Sequence, residues 1–337
     1  MRVLVTGAGS LLLRGVADAL AARGDDVVCL QRRALDGPTH ARITQHSGDV
    51  RDRDVVVDAM ARCDAVVHGA ARVGVVGAWS DFESVNVGGT LNVLEAARTQ
   101  GVRRVVHVST PSVAHSGHSL VGAGAEVAVT GRRGAFYAES KAIAERAAIG
   151  ANGADLAVVA IRPHLVWGPG DTQLVGRIVE RARAGRLAII GTGAALVDTT
   201  YVDNAIDAVV AAADAVRPGA VCAGRAYVVA NGEPRTVHEL MERICLSAGV
   251  PFVPKRVPTR VALGAGTIVE RLWPRLRDDE PPITRFIAEQ LGTAHWFDPR
   301  PAAEDLGWTP RTTLDEGFER LRAWFQHGGA QESAVKR

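Results

Sequence analysis

Short strand-like runs alternate with helical segments through the first half of the chain. The runs are Arg2–Thr6, Val27–Leu30, Arg42–His46, Ala65–His68, Val105–Val108 and Ala157–Ile161. Most of them are continuous apolar runs, which is typical of strands buried on both faces. Strands that alternate with helices at short intervals form a doubly wound parallel sheet, so we predict an α/β fold up to about residue 165. Ligands of such sheets bind beyond the carboxyl ends of the strands.

Beyond residue 165 the alternation weakens. The stretch 205–216 reads as a helix that returns to the first sheet, and residues 235–330 read as mostly helical segments separated by prolines. We therefore predict a first domain over 1–165, with returning segments near 198–230. A smaller, mostly helical domain is expected over 166–197 and 231–327, followed by a flexible tail over 328–337.

The composition argues against several functions. A net charge of +2 over 337 residues gives no field that would attract nucleic acid. The four cysteines lie far apart without metal or disulfide spacing, and His115 and His118 lack a third ligand, so we expect no metal site. No apolar run reaches the roughly 18 residues of a membrane span, and the first strand begins at Arg2. We expect a cytoplasmic protein.

The turn after the first strand carries two glycines, Gly7 and Gly9. Glycines here would let backbone amides approach a nucleotide pyrophosphate at the start of a helix. A G-x-x-G-x-x-G pattern would also place glycine at positions 10 and 13, which hold Ser10 and Leu13. Ser10 is a mild departure, whereas Leu13 is expected to push the helix outward or shift the turn, with Gly9 compensating in part. A purely structural turn remains an alternative.

The end of the second strand lacks the acidic residue that would bind the adenosine ribose of NAD. Arg32 and Arg33 stand there instead, and two guanidinium groups could bind a 2′-phosphate, which favours NADP(H). The alternative is a pair of surface arginines. After the third strand, Asp49 is placed to accept from an adenine amino group while Val50 packs on the ring. A helix-capping role for the aspartates of this segment is equally open.

Tyr137 and Lys141 are four residues apart, which places them on one face of a helix. The chain contains only three tyrosines and three lysines. A nearby ammonium group favours the phenolate and lowers the pKa of a tyrosine, so the pair could act in acid/base chemistry. An ordinary surface pair is the alternative. Ser109 and Thr110 follow the fifth strand and could hydrogen-bond a substrate carbonyl or simply cap a turn.

Taken together, these residues resemble the extended short-chain dehydrogenase/reductase superfamily, also called the NAD-dependent epimerase/dehydratase superfamily. The resemblance rests on Thr6-Gly7, Asp49, His68-Gly69-Ala70-Ala71, Asn86-Val87-Gly88-Gly89-Thr90, Ser109-Thr110 and the Tyr137/Lys141 pair. Within it, the chain is similar to the 3β-hydroxysteroid dehydrogenase-like branch, which includes olefin-biosynthesis reductases of 2-alkyl-3-keto acids. The segments that carry this second likeness are 109–113, 162–171, 197–204, 281–285 and 293–298.

The resemblance implies a Rossmann sheet and an NAD(P)(H)-dependent alcohol dehydrogenase or ketoreductase. Tyr137 would be the acid/base, Lys141 would lower its pKa and bind the nicotinamide ribose, and Thr110 would hold the carbonyl oxygen. The residues implied to line the cofactor are Gly7, Ser10, Arg32, Asp49, Val50, Gly69, Ala70, Ala71, Asn86, Ser109, Tyr137, Lys141 and Pro163. The substrate would be lipophilic, with a steroid-like hydroxyl or a β-keto acid or ester group. A homodimer through the helices at 81–100 and 137–150 is expected.

Two other functions remain open from the sequence. A nucleotide-sugar epimerase/dehydratase usually has an arginine and an asparagine where this chain has Val197 and Leu165. A non-catalytic nucleotide-binding protein would fit the altered glycine pattern. Residues 255–277 are open between a lid, a peripheral membrane helix and an amphipathic helix packed on the core. Arg132 and Arg133 are open between an anion site and a solvated loop.

Overall fold

The computed structural model describes residues 1–37, 39–74, 77–114, 118–131, 135–276 and 285–329. In chain order the strands are β1 (Arg2–Thr6), β2 (Asp26–Gln31), β3 (Ile43–Ser47), β4 (Ala65–His68), β5 (Arg104–Val108), β6 (Leu120–Ala123), β7 (Ala157–Pro163), β8 (Val166–Trp167), β9 (Ala188–Ile190), β10 (Leu196–Val197), β11 (Thr200–Tyr201), β12 (Ala226–Val229), β13 (Arg235–Thr236), β14 (Lys255–Val257) and β15 (His295–Phe297).

The α-helices, in the same order, are α1 (Leu11–Ala22), α2 (Arg53–Ala59), α3 (Trp79–Phe82), α4 (Gly89–Gln100), α5 (Phe136–Gly150), α6 (Val175–Arg183), α7 (Val202–Ala215), α8 (Val237–Ser247), α9 (Thr259–Leu276), α10 (Arg285–Gly292), α11 (Arg300–Leu306) and α12 (Leu314–Gln326). A π-helical turn, Glu83–Gly88, joins α3 to α4, and a 3₁₀ turn, Pro111–Val113, follows β5.

A parallel sheet of seven strands forms the centre of the fold, in the order β12-β7-β5-β4-β1-β2-β3. Successive side chains of β1 face opposite layers: Val3 and Val5 pack with α1 and α7, whereas Leu4 packs with α2 and α4. Because helices cover both faces, nearly every strand position must be apolar, which is why the strands appeared as continuous runs in the sequence. The predicted doubly wound α/β fold is confirmed.

The six predicted strands of the first half all belong to this sheet, with end points that differ from the prediction by a few residues at most. The seventh strand, β12, and the helix α2 were not predicted. The helix expected from about residue 81 to residue 99 is present but contains the π-helical turn Glu83–Gly88. The buried residue of this turn is Asn86, which is 1% exposed.

The second half combines helices with small sheets. The helix predicted over 205–216 is α7, and it packs beside α1 on the first sheet as expected. Strands β13, β10, β15 and β6 form a second, four-stranded sheet that was missed because its strands have only two to four residues. Aromatic residues of α12, β8 and β11, namely Phe318, Trp167 and Tyr201, pack together in a separate core.

The segment 255–277 divides into β14 and the amphipathic helix α9. Ala262 is buried against Ile190 and Ala288, so one face of α9 packs on the protein, while Val261 and Ile268 are exposed. No helix in the described ranges is long and apolar enough to cross a membrane. The predicted tail from Gly328, apart from its first two residues, lies outside the described residues, as do Arg132 and Arg133.

Candidate active site

The turn between β1 and α1 brings a glycine against the end of β4. Gly7 has φ of 81°, and a Cβ atom added there would lie 2.7 Å from the amide nitrogen of Ala70. Only glycine fits this close approach. Ser10 caps α1, since its Oγ accepts a hydrogen bond from the amide of Leu13 at 3.3 Å. The start of α1 and the Gly69-Ala70-Ala71 segment therefore frame one cradle, and its binding of a dinucleotide pyrophosphate stays a prediction.

Leu13 is accommodated in the core beneath α1. Its side chain is 4% exposed and belongs to the core between the sheet and α1. A Cβ atom added to Gly69 would lie 2.7, 2.8 and 2.9 Å from Cδ2, Cγ and Cδ1 of Leu13. Gly69 therefore supplies the space that glycine at position 13 would otherwise provide. Gly69, the residue after β4, accounts for the packing of Leu13, while the expected outward shift of the helix and the compensation through Gly9 stay predictions.

The carboxyl end of β2 carries an amide that has no partner within the described protein. Both polar atoms of the Gln31 side chain are buried without a hydrogen bond, and they lie beside Gly9. Arg32, the next residue, is exposed. Buried amides are nearly always hydrogen-bonded, so the Gln31 side chain fits a site completed by a bound polar ligand. In a dinucleotide-binding fold this is the position of the adenosine ribose.

Asp49 lies close to Arg32 but is already engaged. Its carboxylate accepts hydrogen bonds from the amide and the guanidinium of Arg51, the shortest at 2.7 Å. Arg51, with a smaller contribution from Arg32, lowers the pKa of Asp49. The capping role proposed for this segment belongs to Asp52, which caps α2. Val50 is 6% exposed.

The side chain of Val50 packs against Gly89, where an added Cβ atom would meet its Cγ2 at 2.7 Å. It therefore offers little surface to an adenine ring. The predicted contact of Val50 with the ring has little room in this structure, because α4 already covers the valine.

Thr6, His68 and Thr90 form a chain of hydrogen bonds in the core beneath the cradle. The hydroxyl of Thr6 accepts from the amides of Gly69 and Ala70, each at 3.2 Å, and lies 2.8 Å from Nδ1 of His68. The other ring nitrogen of His68 is 3.0 Å from the Thr90 hydroxyl.

The direction of this chain follows from its end. The Thr90 hydroxyl donates to the carbonyl of Asn86 at 2.7 Å, so it must accept from Nε2 of His68. His68 is then a neutral imidazole whose Nδ1 accepts from Thr6, consistent with a pKa lowered to about 3 by burial and by Lys141.

Asn86 extends the chain to the helix that carries Tyr137. Its amide donates to the Arg72 carbonyl at 3.1 Å and to the Ser140 hydroxyl at 2.8 Å, while its oxygen accepts from the Arg72 amide at 2.7 Å. Ser140 in turn donates to the carbonyl of Tyr137. Both amide hydrogens are thus bonded to the protein, so Asn86 ties Arg72 to α5, and its predicted contact with the cofactor stays a prediction.

Tyr137 and Lys141 lie on the first turns of α5, as predicted, but their electrostatics differ from the prediction. Burial raises the pKa of the half-buried Tyr137 to about 12. Burial also lowers the pKa of Lys141 to about 8, against the opposing effect of Glu145. The Lys141 ammonium donates to the carbonyl of Val108 at 2.7 Å. The predicted lowering of the tyrosine pKa is wrong for this state, since desolvation of the phenol dominates.

A buried ion pair fixes α5 one turn further along. Glu145, four residues after Lys141, makes a two-pronged contact with Arg162 of β7, at 2.8 Å and 2.5 Å. Both side chains are at most 3% exposed. Tyr137, Lys141 and Glu145 thus form one stripe at i, i+4 and i+8, whose second and third members bind β5 and β7. This docking positions the phenol at the carboxyl edge of the sheet.

Three hydroxyls follow β5. Thr110 Oγ1 lies 3.1 Å from Ser112 Oγ at the start of the 3₁₀ turn. The Ser109 hydroxyl is buried and has no hydrogen-bond partner in the described protein, although the Ser109 amide bonds Ile161 at 2.7 Å. An unsatisfied buried hydroxyl at the predicted cofactor edge again fits a bound polar ligand. Pro163, the remaining predicted cofactor residue, is buried and ends β7 beside the same edge.

A cavity of about 170 Å³ opens next to Thr110 and Tyr137. Its lining consists of Thr110, Pro111, Ser112, Leu120, Tyr137, His164, Leu165, Gln290, His295 and Phe297. Two catalytic candidates predicted from the sequence therefore meet in one cavity, while Lys141 lies behind them. The cavity combines hydroxyl, phenol, amide and imidazole groups with an apolar wall, so it suits a small polar group attached to alkyl substituents.

The two histidines of the cavity are hydrogen-bonded to the backbone of the same residue, Asp198. Nδ1 of His164 donates to the Asp198 carbonyl at 2.5 Å, and the Asp198 amide donates to the His295 carbonyl at 2.8 Å. Nε2 of His295 lies 2.9 Å from the Thr293 hydroxyl, which donates to Glu289. Burial raises the pKa of Asp198 to about 7, and its carboxyl group accepts hydrogen bonds from the amides of Gly232 and Glu233.

Comparison with known proteins identifies the family of this chain. Residues 10–256 match the 3-beta hydroxysteroid dehydrogenase/isomerase family. The chain belongs to this family. A 2-alkyl-3-oxoalkanoate reductase of Stenotrophomonas maltophilia is 45% identical over 326 residues, which are 96% of this chain and 99% of that protein. A 3-beta-hydroxysteroid dehydrogenase of Mycolicibacterium neoaurum is 29% identical over 333 residues, covering 96% and 91%.

Solved structures support the same fold. MoeE5, determined in complex with UDP-glucose and NAD, is 25% identical and superposes with a TM-score of 0.73, covering 97% of this chain and 99% of that chain. The epimerase Mth375 of Methanothermobacter thermautotrophicus has a TM-score of 0.76 at 22% identity, over 98% of this chain and 93% of that one. This member of the 3-beta hydroxysteroid dehydrogenase/isomerase family is thus an NAD(P)-dependent oxidoreductase that interconverts a secondary hydroxyl and a ketone.

Sequence reasoning missed several residues of the site in this family member. Gln31 and Ser112 lie next to predicted positions, and their polarity was the available signal. His164 and His295 are 131 positions apart in the numbering and meet only through the second sheet. Among the described residues, no three His, Cys, Asp or Glu side chains lie together so that they could hold a metal ion. His115 lies outside the described residues.

Proposed function

We propose that this enzyme reduces the ketone of a 2-alkyl-3-oxoalkanoate with NADPH. The observation that carries the proposal is the cavity in which Thr110, Ser112 and Tyr137 converge beside an apolar wall. The similarity to the Stenotrophomonas maltophilia reductase, which spans nearly both chains, supports the substrate class. Leu165 and Val197 stand where a nucleotide-sugar enzyme would place polar residues, which argues against the epimerase alternative.

The residues have separate roles in the proposed reaction. When bound, the nicotinamide supplies the hydride that adds to the carbonyl carbon. Tyr137 donates a proton to the carbonyl oxygen, and a phenol whose pKa is raised to about 12 is protonated at neutral pH, so it is suited to reduction. The Thr110 hydroxyl donates a hydrogen bond to the same oxygen as its charge develops, and it accepts one from the Ser112 hydroxyl 3.1 Å away. Lys141, whose pKa is lowered to about 8, donates a proton to the Tyr137 phenolate after the transfer and takes up a proton from solvent in turn.

The preference for NADP(H) is proposed from the end of β2. Arg32 is exposed there, no acidic side chain follows the strand, and the Gln31 amide is unsatisfied. A guanidinium that binds a 2′-phosphate contributes about 1.5–3 kcal/mol, so Arg32→Ala should raise the KM for NADPH about 10- to 150-fold and leave the KM for NADH nearly unchanged. Arg42→Ala, at another exposed arginine, is the matched control. Equal effects on both cofactors would refute the preference.

The quaternary structure and the location belong to the same proposal. We propose a homodimer in the cytoplasm, formed through α4 and α5, and a substrate-binding part made of residues 166–197 and 231–327. Leu91 of α4 is 50% exposed and lies on a helix of the proposed interface, so it is a position at which the dimer can be tested. Sedimentation of the wild type and of Leu91→Glu tests it: the variant should shift toward monomer, and a wild-type monomer would refute it.

The substrate class is tested in the oxidative direction, because 3-oxo acids lose carbon dioxide in solution. The wild type and Tyr137→Phe are assayed with NADP⁺ and a 2-alkyl-3-hydroxy acid, a 3β-hydroxysteroid or a UDP-sugar. We expect turnover of the hydroxy acid by the wild type, and a loss of about 10²- to 10⁴-fold in the variant. Turnover of the steroid without turnover of the hydroxy acid would contradict the proposal.

A further inference from the structure

Leu165 has an unusual backbone conformation for its residue type. Its φ is 41°, in the left-handed region that leucine rarely adopts. In the described part of the chain, Arg62, with φ of 61°, is the other non-glycine residue with positive φ. Arg62 is exposed in the turn between α2 and β4, far from the cavity in sequence and in fold. Leu165, by contrast, lines the cavity that contains Thr110 and Tyr137.

The surrounding hydrogen bonds impose this conformation. The amide of His164 donates to the Val229 carbonyl at 3.0 Å, and the carbonyl of His164 accepts from the Thr200 hydroxyl at 2.7 Å. The carbonyl of Leu165 accepts from the Thr200 amide at 3.4 Å. Immediately afterwards, β8 pairs with β11 from Val166 onward. A residue held on both sides in this way must adopt the turn whatever its side chain, and glycine would do so without strain.

The presence of leucine instead of glycine at this strained position therefore requires an explanation. It is 37% exposed, although it is large and apolar, and it forms part of the cavity wall. A cavity of about 170 Å³ is close in size to one that holds a benzene molecule. Thr110 and Tyr137, which hold the reacting carbonyl in the proposed reaction, line the same cavity as Leu165. Leu165 therefore faces a group close to that carbonyl, and in a 2-alkyl-3-oxo acid such a group is the alkyl branch on the carbon next to it.

We propose that Leu165 is a specificity-determining residue that contacts the alkyl branch adjacent to the reacting carbonyl, and that its strained backbone is retained for this contact. This inference rests on the proposed function, since it names the part of a 2-alkyl-3-oxo acid that distinguishes it from an unbranched 3-oxo acid. The contact is apolar, so it also disfavours a substrate with a charged group at this position.

Three variants distinguish the effect of the Leu165 side-chain contact from the effect of its backbone strain. Leu165→Gly removes both, Leu165→Ala removes most of the side chain but keeps the strained conformation, and Arg62→Gly relieves a similar conformation away from the cavity. Each is assayed with NADP⁺ on two hydroxy acids of equal main-chain length, one with a 2-alkyl branch and one without. Thermal unfolding is recorded for each without substrate.

Both Leu165 variants should lower kcat/KM for the branched acid about tenfold and change that for the unbranched acid much less. The Tm should stay constant or rise for Leu165→Gly and Arg62→Gly and should not rise for Leu165→Ala. Arg62→Gly should leave both kcat/KM values unchanged. An unchanged ratio between the two acids in both Leu165 variants would overturn the assignment of Leu165 while leaving the proposed function intact. If the wild type oxidises neither acid, the proposed function fails and the assignment fails with it.

Discussion

Replacing Gly69 by alanine would place a methyl group against Leu13. The added Cβ atom would lie 2.7–2.9 Å from three side-chain carbons of Leu13, whereas carbon atoms in contact are normally 3.5–4.0 Å apart. Something must move by up to roughly 1 Å in a packed core, so Gly69→Ala alone should lower the free energy of unfolding by about 1–3 kcal/mol. Leu13→Ala alone should cost about 2–5 kcal/mol, because it leaves a cavity between α1 and the sheet.

The double variant Leu13→Ala/Gly69→Ala shows whether the two substitutions change the free energy of unfolding independently. Leu13→Ala removes Cγ, Cδ1 and Cδ2, which are the three atoms that an alanine at position 69 would meet. In that background Gly69→Ala should therefore cost nearly nothing and should fill part of the cavity. We expect a favourable coupling free energy of at least about 1 kcal/mol.

Urea-induced unfolding of the four proteins, without cofactor, measures this coupling. Gly150→Ala is the matched control, since a Cβ atom at Gly150 would meet no atom within 4 Å, and its effect should add to that of Leu13→Ala. If the effects of Gly69→Ala and Leu13→Ala add within error, the space at Gly69 does not accommodate Leu13, and the reasoning about the altered glycine pattern is refuted.

Other perturbations follow from the buried polar groups. The pKa of Lys141 is lowered from 10.5 to about 8. Between these pH values the unfolded chain binds more protons than the folded protein, so stability rises with pH. Below pH 8 the shift lowers the free energy of unfolding by its full amount, about 3 kcal/mol. Lys141→Met should thus resist urea better than the wild type at pH 7, with an advantage that shrinks as the pH rises from about 8 to 10; a constant difference would contradict the shift. Arg162→Met leaves the Glu145 carboxylate buried and unpaired and should cost about 3–5 kcal/mol in unfolding experiments, and a change below about 1 kcal/mol would count against the ion pair. Asn86→Ala should lower kcat more than cofactor affinity, because it releases Ser140 and α5; loss of NADPH binding alone would instead favour direct contact with the cofactor.

The fold could be predicted to the extent that its signals are local. β1, β4 and β7 are continuous apolar runs because both faces of each are covered, and that pattern is visible in the sequence. β12 has four residues and follows a segment rich in glycine and alanine, so it did not stand out. Its place at the sheet edge is decided by pairing with β7, which is a long-range contact.

The candidate site also combines features that a local pattern in the sequence predicts with features that it does not. Tyr137 and Lys141 are one helical turn apart, so their shared face followed from spacing alone. Their pKa values did not, because both are shifted by burial, which depends on the whole fold. The fit of Leu13 over Gly69 and the bond from Thr6 to His68 join residues more than 50 positions apart, and no local pattern in the sequence announces such contacts.

The central claim is that Tyr137 is the proton donor of an NADPH-dependent ketoreductase. Its most direct test is the rate of hydride transfer in a single turnover, followed by NADPH absorbance, for the wild type and Tyr137→Phe with a 2-alkyl-3-oxo acid prepared immediately before mixing. We predict a loss of about 10²- to 10⁴-fold in the variant, with NADPH affinity unchanged within about threefold. A variant that transfers hydride at the wild-type rate would contradict the claim.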